Sequence, residues 1–209
     1  MPKLKMPKSS PSLDMTPMVD LAFLLVTFFM LTAQFRPEES VVVDTPSSMS
    51  QSPIPTENMM TIVVDSTGKV YWDMTDMKVR FAVLKELGKR INYEPTQEDL
   101  VKFANVGPVG VPIQQLPAYL ALHDAAARKE FNSRFNGIPT DSTNNQLRDW
   151  IMTTRLLFYD EAGVNPIVAL KADGNTDYSK VAEVIRIFQS PGIEINRFKM
   201  ITDLEASRM

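Results

Sequence analysis

Met15-Thr-Pro-Met-Val-Asp-Leu-Ala-Phe-Leu-Leu-Val-Thr-Phe-Phe-Met-Leu-Thr-Ala-Gln-Phe35 is free of charge along its length except for one acid, Asp20. At about 1.5 Å of rise per residue, this stretch covers roughly 32 Å as a helix, enough for a hydrocarbon core of about 30 Å. It predicts a single membrane-spanning helix over residues 15–35. A charge at mid-helix costs at least about 2.5–3.5 kcal/mol on insertion scales, so Asp20 must face a protein partner or water rather than lipid. Lys3, Lys5 and Lys8, against the lone Asp14, precede the stretch, and Arg36, Glu38 and Glu39 follow it. The positive-inside tendency therefore places residues 1–14 in the cytoplasm and the rest of the chain outside. A cleaved secretory signal is the alternative, disfavoured by the length of the run, its acid and the lack of a small-x-small site near Gln34.

Beyond the span, residues 36–58 carry Pro37, Pro46, Pro53 and Pro55 among several serines, the composition of an extended tether, within which β-branched Val41-Val42-Val43 could add as a short strand to a sheet edge, ended by Pro46. Residues 59–209 then alternate strand and helix periods, which predicts an α+β domain. Met59–Val64 and Lys69–Trp72 flank Asp65-Ser-Thr-Gly68 as a hairpin. Met77–Ile91 has apolar residues at helical spacing. Asn92–Pro117 holds six Pro and Gly residues and reads as loop with, at most, short pieces of structure. Ala118–Phe135 and the stretch from Asp141–Asn145 to Gly163 read as two further helices. Pro166–Leu170 predicts a strand, Lys171–Gly174 a turn, Asp177–Gln189 a helix and Arg197–Thr202 a last strand.

The span carries a polar seam. Thr16, Thr27 and Gln34 stand four residues before, seven after and fourteen after Asp20, and so share its helix face. Hydroxyl and amide groups gain nothing from lipid, so the seam points at a partner or a hydrated path. Intramembrane carboxyls serve in proton relays, which makes Asp20 a candidate proton carrier. The alternative is that Pro17 opens the helix and Asp20 complements its dipole near the headgroups.

Other chemistry is sparse. The chain has no cysteine and one histidine, His123, so neither a disulfide framework nor a thiolate metal site is available. The net charge of −3 argues against nucleic acid. No Ser-His-Asp set, phosphate loop or paired-carboxylate motif is present, so an enzyme, a bound metal and an organic cofactor are not expected. Trp72, Trp150 and Tyr119 read as packing residues.

Leu13-Asp-Met-Thr-Pro-Met-Val-Asp-Leu21, followed by Leu24-Leu25 and Phe28-Phe29-Met30, resembles the cytoplasmic-end signature of the ExbD/TolR proteins. Ala169-Leu-Lys-Ala-Asp173, Asp177-Tyr178 and the following helix and strand are similar to that family's closing elements. With the hairpin, the resemblance covers residues 13–72 and 166–203. It implies a stator subunit of the inner membrane with a periplasmic C-terminal domain. A dimer of such spans, formed with a second copy or a paralogue, sits inside a pentamer of an ExbB/TolQ-like polytopic partner. Proton flow through the aspartate then works on a TonB- or TolA-like transducer. Asp20 matches the essential aspartate. Val41-Val-Val-Asp-Thr-Pro46 resembles the strand with which the family docks its partner, through Val41, Val43 and Pro46, with Thr45 in place of a leucine. Residues 73–165 exceed the family pattern and form a helical insertion, read as decoration on a surface loop, with an added contact for a transducer, a paralogous copy or the cell wall as the alternative. An ExbD-like role in TonB-dependent transport is expected. A TolR-like role in envelope constriction and a membrane-anchored periplasmic binding module are the alternatives.

Overall fold

The computed structural model describes residues 15–32, 43–45, 47–48, 57–122, 124–201 and 203–204. The chain divides into two units, Met1–Arg36 and Pro37–Met209. The first contains α1 (Thr16–Thr32), 17 residues with none buried. At about 1.5 Å per residue α1 rises roughly 25 Å. No helix among the described residues is long and apolar enough to cross a membrane. Of the 15–35 stretch, residues 33–35 lie outside the described residues.

The second unit runs β1 (Ser47–Ser48), β2 (Met59–Val64), β3 (Val70–Met74), α2 (Met77–Arg90), α3 (Gln97–Asn105), α4 (Leu116–Leu120), α5 (Ala125–Ser133), β4 (Thr140–Asp141), β5 (Asn144–Asn145), α6 (Gln146–Ala162), β6 (Ile167–Ala172), α7 (Tyr178–Phe188), β7 (Lys199–Ile201) and β8 (Asp203–Leu204). A four-stranded sheet has the order β3-β2-β6-β7. Its β2–β3 pair is antiparallel and its other pairs are parallel, so the α+β class predicted from sequence holds. β2 lies inside the sheet, which is why all six residues of its Met-Met-Thr-Ile-Val-Val run are buried. In the hairpin, the Asp65 carboxylate accepts from the main-chain N–H groups of Thr67 (2.8 Å) and Lys69 (3.0 Å), and Gly68 takes φ +80°.

Alternation along the strands sends Met60, Ile62, Val64, Trp72 and Leu170 into one core with the helices. Val63 and Tyr71 form a separate cluster with Val43. α2 starts at Asp76, whose side chain accepts from the Lys78 and Val79 N–H groups, and buries Val79, Val83, Leu84 and Leu87. α6 ends at Gly163 in the left-handed region, φ +69°, as its sequence predicts.

Residues 73–165 are not a surface decoration. Trp150, Tyr119, Phe103 and Phe158, all from this stretch, are among the largest fully buried side chains. Trp72 of the sheet lies 4.7 Å from Trp150 and 6.0 Å from Phe103, centroid to centroid. The insertion also closes the outer edge of β3. Trp72 and Val109 exchange two main-chain hydrogen bonds of 2.8 Å, and the Ile138 N–H donates to the Val70 carbonyl at 2.9 Å. Edge groups that would otherwise face water are thereby paired.

Three local expectations differ from the structure: Lys171 and Ala172, expected in a turn, continue β6 because they pair with Val63 and Val64 of β2. Asn92–Pro117 contains α3, opened by a capping box in which the Thr96 and Asp99 side chains satisfy each other's main-chain N–H. The single helix expected over Ala118–Phe135 is broken into α4 and α5. The Tyr119 and Phe131 rings are 6.2 Å apart, whereas twelve residues of straight helix would separate them by about 18 Å. Bringing both rings into one core requires the chain to turn, and it does so before Asp124, which is extended at φ −101°, ψ 141°.

Candidate functional site

Up to Leu31, α1 is apolar outside one face. Met18, Val19, Leu21, Phe23, Leu24, Leu25, Val26, Phe28 and Phe29 are all exposed, and so is Asp20. In this one helix Thr16 and Thr27 lie about 40° and 20° around the axis from Asp20, so the seam is continuous over the described residues. Gln34 lies outside them.

The seam's groups do not make equal demands on a partner. The Thr27 hydroxyl donates back to the carbonyls of Phe23 (3.0 Å) and Leu24 (2.9 Å), and Thr32 does the same to Phe28 (2.8 Å). Such back-bonding satisfies a hydroxyl within its own helix. The Asp20 carboxylate has no hydrogen-bond or ion-pair partner among the described residues. A carboxylate alone on an apolar rod can serve as a protonation site or as an anchor for a partner's donor, and either use requires protein or water around it.

Part of the stretch read as a tether lies on the second unit. Val43 is 8% exposed and packs with Val63 and Tyr71. The Asp44 N–H donates to the Asp173 carboxylate at 3.1 Å, and the Gly174 N–H donates to the Asp44 carbonyl at 2.8 Å. Thr45 is buried, and β1 pairs in parallel with β8. Asp173 sits well below the usual carboxylate range because the Asn175 N–H donates to it, with the Asp44 N–H adding to the effect. Sequence reasoning saw only a turn there. Tyr71 donates to Asp65 at 2.9 Å, and its hydroxyl is pushed well above the ordinary tyrosine value by burial and the adjacent carboxylate. Of the residues matched to the family's docking strand, Val43 is thus placed, while Val41 and Pro46 lie outside the described residues. So does His123. Trp72 and Trp150 pack against each other in the core with their rings tilted by 36°, and Tyr119 is buried there too.

A family model described as "Biopolymer transport protein ExbD/TolR" matches residues 6–201. Among curated proteins, the chain is similar to "Biopolymer transport protein ExbD" of Aquifex aeolicus (strain VF5). The two are 26% identical over 91 residues, 44% of this chain and 67% of that protein. No solved structure matches.

Proposed function

Because the chain belongs to the ExbD/TolR family, we propose that it is a proton-motive-force transducing subunit of an inner-membrane motor, with Asp20 as its proton carrier. The observation that carries this is the lone carboxylate of α1, unpartnered among the described residues on a helix whose other polar hydroxyls include Thr27 and Thr32 bonded to their own backbone.

In this function α1 and the residues up to Phe35 form the single span, with residues 1–14 cytoplasmic and the second unit periplasmic. Two such spans, from a second copy or a paralogue, stand inside an ExbB/TolQ-like pentamer. The face of Thr16, Asp20, Thr27 and Gln34 turns to its subunits. Protonation removes the charge of Asp20 and deprotonation restores it, so the helix alternates between tolerating an apolar neighbour and requiring a polar one. One charge moved across 100 mV supplies about 2.3 kcal/mol, enough to bias a rotation between such neighbours. The coupling ion is the proton, with no other cofactor. We favour an ExbD-like role, for which the name of the Aquifex aeolicus relative speaks, and with it a TonB-like transducer as the protein acted on.

Asp20→Asn keeps size and polarity but cannot carry a proton. In cells, this variant is expected to lose energy-dependent uptake while still co-purifying with its polytopic partner. Full uptake by Asp20→Asn excludes the carrier role.

A further inference from the structure

We infer that the groove between the β4–β5 hairpin of the insertion and α7 seats an extended peptide segment of a partner protein, one that carries both an acidic and a basic side chain. The groove has a volume of about 710 Å³. Ala182, Glu183 and Arg186 stand three, four and seven residues after Ser179, so the four share one face of α7, and all line the groove. Val181, Val184 and Phe188, on the opposite side of α7, are buried in the core. Thr140, Asp141, Ser142 and Asn145 supply the insertion's wall. That wall is held from behind. Gln146 donates to Asn144 at 3.2 Å and to Gln114 at 3.0 Å and accepts from the Ile113 N–H at 2.7 Å, while Arg148 donates to the Pro191 carbonyl at 2.8 Å. The groove is thus built before anything enters it, and one of its walls belongs to the insertion.

Charge and size select the occupant. Lys180 and Glu183 pair at 3.2 Å. Among the described residues, however, the side chains of Asp141 on one wall and Arg186 on the other have no ion-pair or hydrogen-bond partner. An uncharged occupant would strip both of water and return nothing. A segment with a base for Asp141 and an acid for Arg186 turns each into a charge-assisted hydrogen bond, and the planar guanidinium suits a carboxylate. From Tyr178 to Arg186 the α7 wall runs about 12 Å at 1.5 Å per residue, the length of about four extended residues. The small side chains of Ser179 and Ala182 let a main chain lie close to α7. Ser142 and Asn145 offer a hydroxyl and an amide to its N–H and carbonyl groups. Tyr178, 77% exposed, adds an apolar ring with a hydroxyl at one end. A polypeptide meets all of these demands, whereas a neutral glycan supplies neither charge.

The test is a randomised heptapeptide library displayed on phage, selected on the full-length chain in detergent and depleted on a chain carrying both Asp141→Asn and Arg186→Gln. Both positions are exposed, so Tm should stay unchanged in these variants. The selected peptides are expected to hold an acid and a base close together in sequence. Their affinity, read by fluorescence anisotropy, should fall about tenfold or more in Asp141→Asn and in Arg186→Gln alone, and binding should be lost in Ser179→Trp, which fills the α7 wall. Replacing the peptide's acid by glutamine should weaken binding to the parent chain but make no further difference in Arg186→Gln. A library that yields no peptide able to tell the parent from the depleted chain overturns the proposal, as does binding that persists in Ser179→Trp. Binding of maltopentaose in the absence of such a peptide assigns the groove to glycans and overturns it too. The outcome is independent of the motor function, because Asp20→Asn, in the other unit, is expected to leave peptide affinity unchanged.

Discussion

Arg80 is 3% exposed, yet its guanidinium has a partner for each direction in which it points. It donates to the carbonyls of Phe103 (2.9 and 3.1 Å), Val106 (2.6 Å) and Met74 (3.2 Å), and it pairs with Asp73. It also lies 5.6 Å from the Trp72 ring centroid and 5.1 Å from that of Phe103. One cation thus ties α2 to the end of α3 and to the sheet. Orphaning buried carbonyls costs about 1–3 kcal/mol each, so Arg80→Ala should destabilise the chain by roughly 3–5 kcal/mol. Arg80→Lys should recover little of this, because an ammonium on a single stem cannot reproduce the planar fork. Denaturant titrations of the three chains check both values, and near-complete rescue by lysine would show that charge alone matters here.

At the scale of elements, α3 shows why legibility was uneven. Its start is written in Thr96-x-x-Asp99 ahead of Leu100 and Phe103, but the surrounding prolines and glycines outweighed a helix of only nine residues. Elements with long apolar periods, such as α2, α6 and α7, were readable, and so was the hairpin from its Asp-x-x-Gly turn. The break between α4 and α5 was not, because it is imposed by Tyr119 and Phe131 meeting across a turn that local propensity does not signal. Asp20 was legible because a charge among apolar neighbours stands out locally, whereas the seat of Val43 depends on Tyr71 and Asp173, 28 and 130 positions away. The α3 cap has a pH signature. Burial opposes ionisation of Asp99, but the hydrogen bonds from Thr96 and Tyr93 hold its carboxyl below the usual range. A depressed folded value contributes stability that is complete above the unfolded value of about 3.9 and fades as pH falls through the folded one. Asp99→Ala should therefore lower Tm by about 2–4 °C near neutrality. The gap should close as the medium is acidified until Asp99 is protonated in the folded chain as well, and a gap that persists there would assign the effect to packing.

For the whole molecule, the question is whether the second unit can exist without residues 92–145, the part of the insertion between α2 and α6. Removing it takes Phe103, Leu116 and Tyr119 out of the core and strips Trp72 and Trp150 of a stacking neighbour. It also reopens the β3 edge that Val109 and Ile138 close, and it deletes the carbonyls that hold Arg80. Truncating one buried Phe or Leu to Ala typically costs about 2–5 kcal/mol, and whole domains are stable by only about 5–15 kcal/mol. Losing three such side chains together with the carbonyls that hold buried Arg80 therefore exceeds what the remaining sheet, α2, α6 and α7 can supply. We expect a chain in which a short Gly/Ser linker replaces residues 92–145 to lose near-UV circular dichroism and cooperative unfolding, and to be cut rapidly by trypsin at Arg80. A cooperative transition within about 2 kcal/mol of the parent would mean that the family core folds alone and that the insertion was added to a finished domain.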